Sequence, residues 1–239
     1  MRRVPWLRFL FLLVPGLLVA APAPKDTPLP PITTKQQETS ANAMRIIALG
    51  MHTYHDNVNS FPGNIKDAKG KPLLSWRVAM LTYAENDELS KEFRLDEPWD
   101  SDHNKMLIPK IPKIYQPVRG RFEKGETFYQ MFAGPKAVLR ADQQTTFATF
   151  TDGLSNTFLV VEAGKPVIWT KPDDIDYDGK TVPKLGGVFD GAFHAAMADG
   201  AVYLIKKDAD AASLHAAIQP ADGNVFDLKK MIRPKPPKE

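Results

Sequence analysis

The stretch MHTYHDNVNSFPG, Met51 to Gly63, sets His52, His55 and Asp56 within five residues. Two imidazoles and a carboxylate are a donor set that can hold zinc. A second stretch, EPWDSDHN, brings Asp100, Asp102 and His103 into one loop. Those oxygens and the imidazole suit a harder cation. Metal candidates from the two stretches are His52, His55, Asp100 and His103, and the chemistry they would support is metal-dependent hydrolysis, with the metal activating a water. FTDGLSNT, around Asp152, lacks the further acidic positions and the late glutamate of a calcium loop. It reads as a tight turn in which Ser155 and Asn156 bond local backbone. PDDIDYDG carries Asp173, Asp174, Asp176 and Asp178 and reads as a solvated acidic loop. Trp76, Trp99 and Trp169 are the ligand-binding candidates, as the indoles a sugar platform would use.

The element that carries the first histidines weighs against metal. Met44, Ile47, Met51, Tyr54 and Val58 recur every three or four residues and form one apolar stripe. With Met44 at zero on an ideal helix, His55 falls at about 20°, His52 at about 80° and Asp56 at about 120°. His55 therefore lies on the packing face, His52 at its edge, and Asp56 is turned away. Helical zinc pairs space their histidines i,i+4 around a glutamate, whereas this pair is i,i+3 without one. His55 reads as a packed, hydrogen-bonded histidine under the sheet, and Asp100 or Asp102 as the cap of the turn that follows. Nucleophile elbow, Walker loop, dinucleotide fingerprint and H-E-x-x-H are all missing. The expectation is a chain with no catalytic residues, no cofactor and no enzymatic activity.

MRRVPWLRFLFLLVPGLLVAAPA begins with arginines, continues with a short apolar run and ends in small residues. That is the layout of a secretory signal peptide. The run is shorter than the roughly 20 residues a bilayer span needs, and Pro15 interrupts it. The expected organisation is a signal peptide at 1–23, a proline-rich linker at 24–33, one domain at 34–227 and a basic, proline-rich disordered tail at 228–239. Arg2, Arg3 and Arg8 account for the formal net charge of +3, so the mature chain is neutral and nothing in its balance points to nucleic acid. No membrane span is expected in the mature chain, which is placed in the periplasm, at the cell surface or outside the cell. The sequence has no cysteine, which excludes disulfides, thiol nucleophiles and thiolate metal sites.

Thr34 and Gln37 have capping-box spacing and open the helix that ends at about Asn57, before Pro62-Gly63. Helices follow at about Ser75–Tyr83, with Ser75 as cap, and at Asn86–Phe93, then a helical turn near His103–Ile108. The second half is strand-like. TFYQMFAG alternates, NTFLVVEAG is a continuous apolar run, and GAFHAAMADGAVYLIKK places Asp199-Gly200 between two runs, as in a two-residue primed hairpin turn. DADAASLHAAIQ closes with a helix capped by Asp208 or Asp210. Helices followed by strands argue an α+β fold on an antiparallel sheet.

MHTYHDNVNSFPG, GKPLLSWRVAML, FRLDEPWDSDHNKMLI, FTDGLSNTFLVVEAG, VIWTKPDDIDYD and FHAAMADGAVYLIKK, in that order, resemble the successive blocks of the domain-of-unknown-function 1559 family. The resemblance implies an exported bacterial protein of pilin-like or pseudopilin-like shape, a long N-terminal helix on an antiparallel sheet, with no established enzymatic activity. Two features depart from the pattern. Gly16 is followed by Leu17-Leu18-Val19 without the glutamate of prepilins, and a histidine ten positions before Asp199 would fall on Phe189. The expected function is that of a structural or interaction protein contacting protein or envelope polymer. The alternatives are a solute- or glycan-binding module and a metal-dependent hydrolase.

Overall fold

The computed structural model describes residues 29–234. The segment expected to be a signal peptide, the first half of the expected linker and residues 235–239 lie outside the described residues. The elements in chain order are α1 (Thr34–Val58), β1 (Ile65–Lys66), β2 (Pro72–Leu74), α2 (Trp76–Ala79), α3 (Asp87–Glu92), β3 (Glu126–Gln130), β4 (Phe132–Ala133), β5 (Phe158–Ile168), β6 (Ile175–Asp176), β7 (Ala192–Met197), β8 (Val202–Lys206), α4 (Ala211–Ile218) and α5 (Leu228–Met231). The fold class is α+β, as expected, with a long N-terminal helix and an antiparallel sheet. None of the helices among the described residues is long and apolar enough to cross a membrane.

The capping box of α1 sits one residue earlier than the expected Thr34/Gln37 pair. Thr33 Oγ1 accepts from the Gln36 N–H at 3.2 Å, and Gln36 Oε1 accepts the Thr33 N–H at 2.9 Å. The helix ends where Asn59 turns left-handed, φ 59°, and donates its N–H to the His55 carbonyl at 2.7 Å. Met44, Ile47, Ala48 and Met51 are fully buried. The apolar stripe holds up to Tyr54, whose ring meets Tyr83 at 5.1 Å. Val58, the last of the stripe, is exposed.

The sheet is antiparallel in the order β3-β5-β7-β8. α1 crosses one face, where Met44, Ile47 and Met51 share a core with Tyr129, Val160, Ala196 and Ala198. The opposite face packs Phe158, Val161, Phe193 and Met197 against Leu214, Ala217 and Ile218 of α4, which Asp210 caps through the Ser213 N–H. Both faces are covered, so alternate side chains of β5 and β7 are all buried from Phe158 to Ala163 and from Ala192 to Met197. TFYQM does not alternate in burial either: Phe128 joins a small cluster with Val188 and Phe189, while Tyr129 turns under α1.

The hairpin between β7 and β8 is not the expected two-residue primed turn, which needs both central residues left-handed. Only Gly200 has positive φ, 87°. The Gly200 N–H bonds the Met197 carbonyl at 2.9 Å and the Met197 N–H bonds the Ala201 carbonyl at 2.8 Å, closing a three-residue loop. Tertiary contacts hold this wider turn, since the Ala198 and Asp199 N–H groups bond the Thr157 and Leu154 carbonyls. The helix expected over Ser75–Tyr83 is split into α2 and a 3-10 turn at Leu81–Ala84, with Ser75 capping α2 as expected. Residues 228–234 are not a loose tail. Met231 is buried, and Ile232 bridges Ile205 on the outer edge of β8, where the Arg233 N–H reaches the Leu204 carbonyl at 2.7 Å. This chain segment covers an edge strand that would otherwise present unpaired backbone.

Gly50 marks the closest approach of α1 to the 3-10 turn. A Cβ there would lie 2.8 Å from the Tyr83 carbonyl oxygen. At an open helical site, glycine to alanine gains about 1 kcal/mol. Here Gly50→Ala is expected to lose about 1–3 kcal/mol, the usual penalty of overpacking, in urea unfolding followed by circular dichroism.

Candidate functional site

The expected metal donors do not converge. Among the described residues, no group of three or more histidines, aspartates or glutamates is placed to hold a metal ion. His52 and His55 lie together at the end of α1, in an aromatic cluster with Phe61 and Phe147. His52 Nε2 donates to the Ala198 carbonyl at 2.9 Å, tying the helix to the β7–β8 turn. His55 finds no polar partner: its ring lies 4.0 Å from that of Phe147, and its Nε2 is buried without a hydrogen bond. Asp56 is exposed. His103 Nε2 donates to the Glu92 carbonyl at 2.7 Å. Asp102 pairs with Lys105, and neither Asp100 nor Asp102 caps the following turn; Ser101 Oγ accepts the Asn104 N–H there, at 3.0 Å.

The tryptophans do not form a sugar platform. Trp76 and Trp169 are fully buried, and their indole N–H groups donate to Asp174 Oδ1 at 3.0 Å and to the Ile108 carbonyl at 2.9 Å. Trp99 is partly buried, with the Lys171 ammonium 5.8 Å from its ring centroid. The acidic loop is solvated only in part. Asp174 is sealed inside, where its Oδ1 meets Arg77 Nη2 at 2.9 Å and accepts the Met131 N–H at 3.0 Å. Arg77 is itself fully buried and donates through Nε to the Tyr129 carbonyl at 2.9 Å. Burial pushes the Asp174 carboxyl above the ordinary carboxylate range, against the pull of Arg77. In the Asp152 turn Asn156 bonds local backbone as expected, Nδ2 to the Asp152 carbonyl at 2.7 Å, while the Asp152 carboxylate accepts the distant N–H groups of Asp222 and Gly223.

A polar row that the sequence reading missed runs under α1. Strand register pairs Tyr129 of β3 with Glu162 of β5, and Val161 with Ala195, which sets Glu162 beside His194 of β7. Ser40, from the second turn of α1, lies over the row and donates to Glu162 Oε1. The Tyr129 hydroxyl is 2.8 Å from Ser40 Oγ. Glu162 Oε2 accepts the His194 backbone N–H at 2.7 Å and faces His194 Nδ1 at 3.3 Å. Serine, carboxylate and histidine are the residue types of a hydrolytic triad, yet the order differs. The Ser40 hydroxyl meets the carboxylate and a tyrosine rather than an imidazole, so the serine–histidine contact of a triad is not formed. All four residues are buried. One polar residue per element, separated by long stretches of chain, leaves no local spacing from which such a row can be read.

One cleft of about 690 Å³ lies between the 182–190 loop and the start of α4, with Arg119 at one end, and another of about 780 Å³ lies between the 82–92 segment and Lys110. None of the expected metal or sugar-binding residues lines either.

Two stability outcomes follow from these buried groups. Asp174→Ala strands a buried guanidinium and is expected to cost about 3–5 kcal/mol, while the double replacement Arg77→Met with Asp174→Leu costs less than the sum of its parts, by chemical denaturation. Burial raises the hydroxyls of Tyr115 and Tyr129 above the ordinary value of 10.0, and the Glu162 charge adds to the rise at Tyr129. Both stay neutral in the fold while the unfolded chain ionises, so stability is full below about pH 10 and falls as pH rises beyond it. Thermal melts across that window should show the fall, and Tyr129→Phe should reduce its slope.

Compared with known proteins, residues 37–119 match a family model described as a protein of unknown function (DUF1559). The matched span runs from α1 to Arg119 and includes Ser40, but not Glu162 or His194. No curated protein and no solved structure shows significant similarity to the chain.

Proposed function

Starting from a chain that carries the DUF1559 match over residues 37–119, we propose that it is an exported, non-catalytic protein whose helix-on-sheet domain makes contacts with other proteins or with envelope polymer. The observation that carries this reading is the use to which the reactive groups are put. Glu162, His194 and Ser40 bond one another beneath α1, and the Trp76 and Trp169 indoles donate into the fold. The outer face of α1 offers a different kind of surface. Ile46 and Leu49 are 45% and 67% exposed, one turn apart, beside exposed Asn42 and Arg45. Apolar side chains ringed by polar ones suit contact with a partner. The leader at 1–23 and the proline-rich spacer support export followed by a tethering or spacing segment.

Expression of the full chain with a C-terminal tag in a bacterial host tests the reading. Fractionation and intact mass should find a product cleaved after Ala21 or Ala23 outside the cytoplasm. Full-length protein held in the cytoplasm would overturn it.

A further inference from the structure

The cleft beside α4 combines apolar side chains with cations that have no ion-pair partner among the described residues. Val182, Pro183 and Leu185 line it partly exposed, above Phe189, Phe193 and Leu214, which are buried. The 182–190 loop is pinned to β5 by backbone bonds, Gly164 N–H to the Lys184 carbonyl at 2.9 Å and Gly186 N–H to the Glu162 carbonyl at 2.8 Å. The wall is therefore held in place from both sides of its glycines. Gly186, at φ 73°, also makes room for a cation. A Cβ there would meet Lys207 Cε at 2.3 Å and Nζ at 3.3 Å, so the Lys207 stem lies across the glycine and its ammonium is carried to the cleft. Lys184 stands on the same wall.

The acidic groups nearby are already engaged or face elsewhere. Asp190 is taken by Arg119, Nη2 to Oδ2 at 2.9 Å, and Arg119 is itself almost buried, bonding the Val188 carbonyl at 2.7 Å. Asp210 caps α4 through the Ser213 N–H. Asp208 is exposed and makes no ion pair with Lys207. Lys184 and Lys207 are thus two ammoniums with no ion-pair partner among the described residues, beside a partly apolar wall.

We propose that this cleft binds a small amphipathic anion, an acyl or aryl carboxylate whose apolar body lies along Val182, Pro183 and Leu185 and whose carboxylate meets Lys184 and Lys207. The volume suits a molecule of that size, since ligand pockets run to about 300–1,000 Å³. A charged head paired with ammonium groups, next to an apolar body leaving water, is what such a lining rewards. This site is separate from the outer face of α1, and its test does not depend on export.

The probe is 8-anilinonaphthalene-1-sulfonate, titrated by fluorescence into the purified folded chain, with octanoate and octylammonium as competitors. Saturation at one equivalent is expected, with displacement by octanoate and not by octylammonium. The double variant Lys184→Glu, Lys207→Glu should weaken binding about tenfold or more. Both lysines are exposed, so near-ultraviolet circular dichroism and the melting temperature should stay as in the parent chain, which separates lost binding from lost folding. Leu185→Asn, at a partly exposed position on the wall, offers an independent arm, weakening the apolar body's contact while keeping both cations. Non-saturable binding, equal displacement by octylammonium, or affinity unchanged by the charge reversals would overturn the proposal.

Discussion

The carboxylate of Glu162 is the constraint on which the seating of the long helix depends. It is buried in the middle of the central strand, where an unsatisfied charge costs several kcal/mol. Its partners come from three other elements: the Ser40 hydroxyl from α1, the His194 N–H from β7, and Tyr129 of β3 through Ser40. Strand register brings Tyr129 and His194 to its sides, but only the helix can bring Ser40. Sliding α1 by one residue would take the hydroxyl off the carboxylate, so the row selects one axial position for a helix whose apolar contacts alone tolerate several. Gly50 acts on the same helix from its other side, because the Tyr83 carbonyl can come so close only where there is no Cβ.

A second buried charge pair fastens the remainder. Arg77 and Asp174 meet between α2, the end of β3 and the loop before β6, with Trp76 and the Met131 N–H on the same carboxylate oxygen. The two networks share Tyr129, whose side chain serves Ser40 and whose carbonyl serves Arg77. The polar chemistry inside the molecule is thereby committed to joining layers. Among the features left to the solvent are a helix face carrying exposed Ile46 and Leu49 and a cleft whose walls are set by glycines and lysines.

The elements that could be read in the sequence are those with local signals. The period of the α1 stripe, Ser75 and Asp210 as caps, the closing helix and the paired strands around Asp199-Gly200 all rest on interactions within a few residues. Where tertiary contacts compete, the local reading shifts. Ala198 and Asp199 are bonded to Thr157 and Leu154, so the hairpin widens by one residue. The same holds for Ile232, which gains a strand partner in Ile205 that its proline- and lysine-rich surroundings do not announce. Helical phase placed His55 toward the fold correctly, yet the polar contact belongs to His52, which reaches a carbonyl across the molecule.

By itself, the sequence determined the fold class, the order of the longer helices and strands and the packing face of most of α1, because periodicity and capping are written in neighbouring residues. It also excluded cysteine chemistry. Tertiary structure alone decided which polar residues meet. Ser40, Tyr129, Glu162 and His194 are joined by the register of three strands beneath one helix, and Lys184 and Lys207 are brought to one cleft by a loop folding back over glycine. Such meetings depend on packing two covered sheet faces at once, and no spacing along a single chain encodes them.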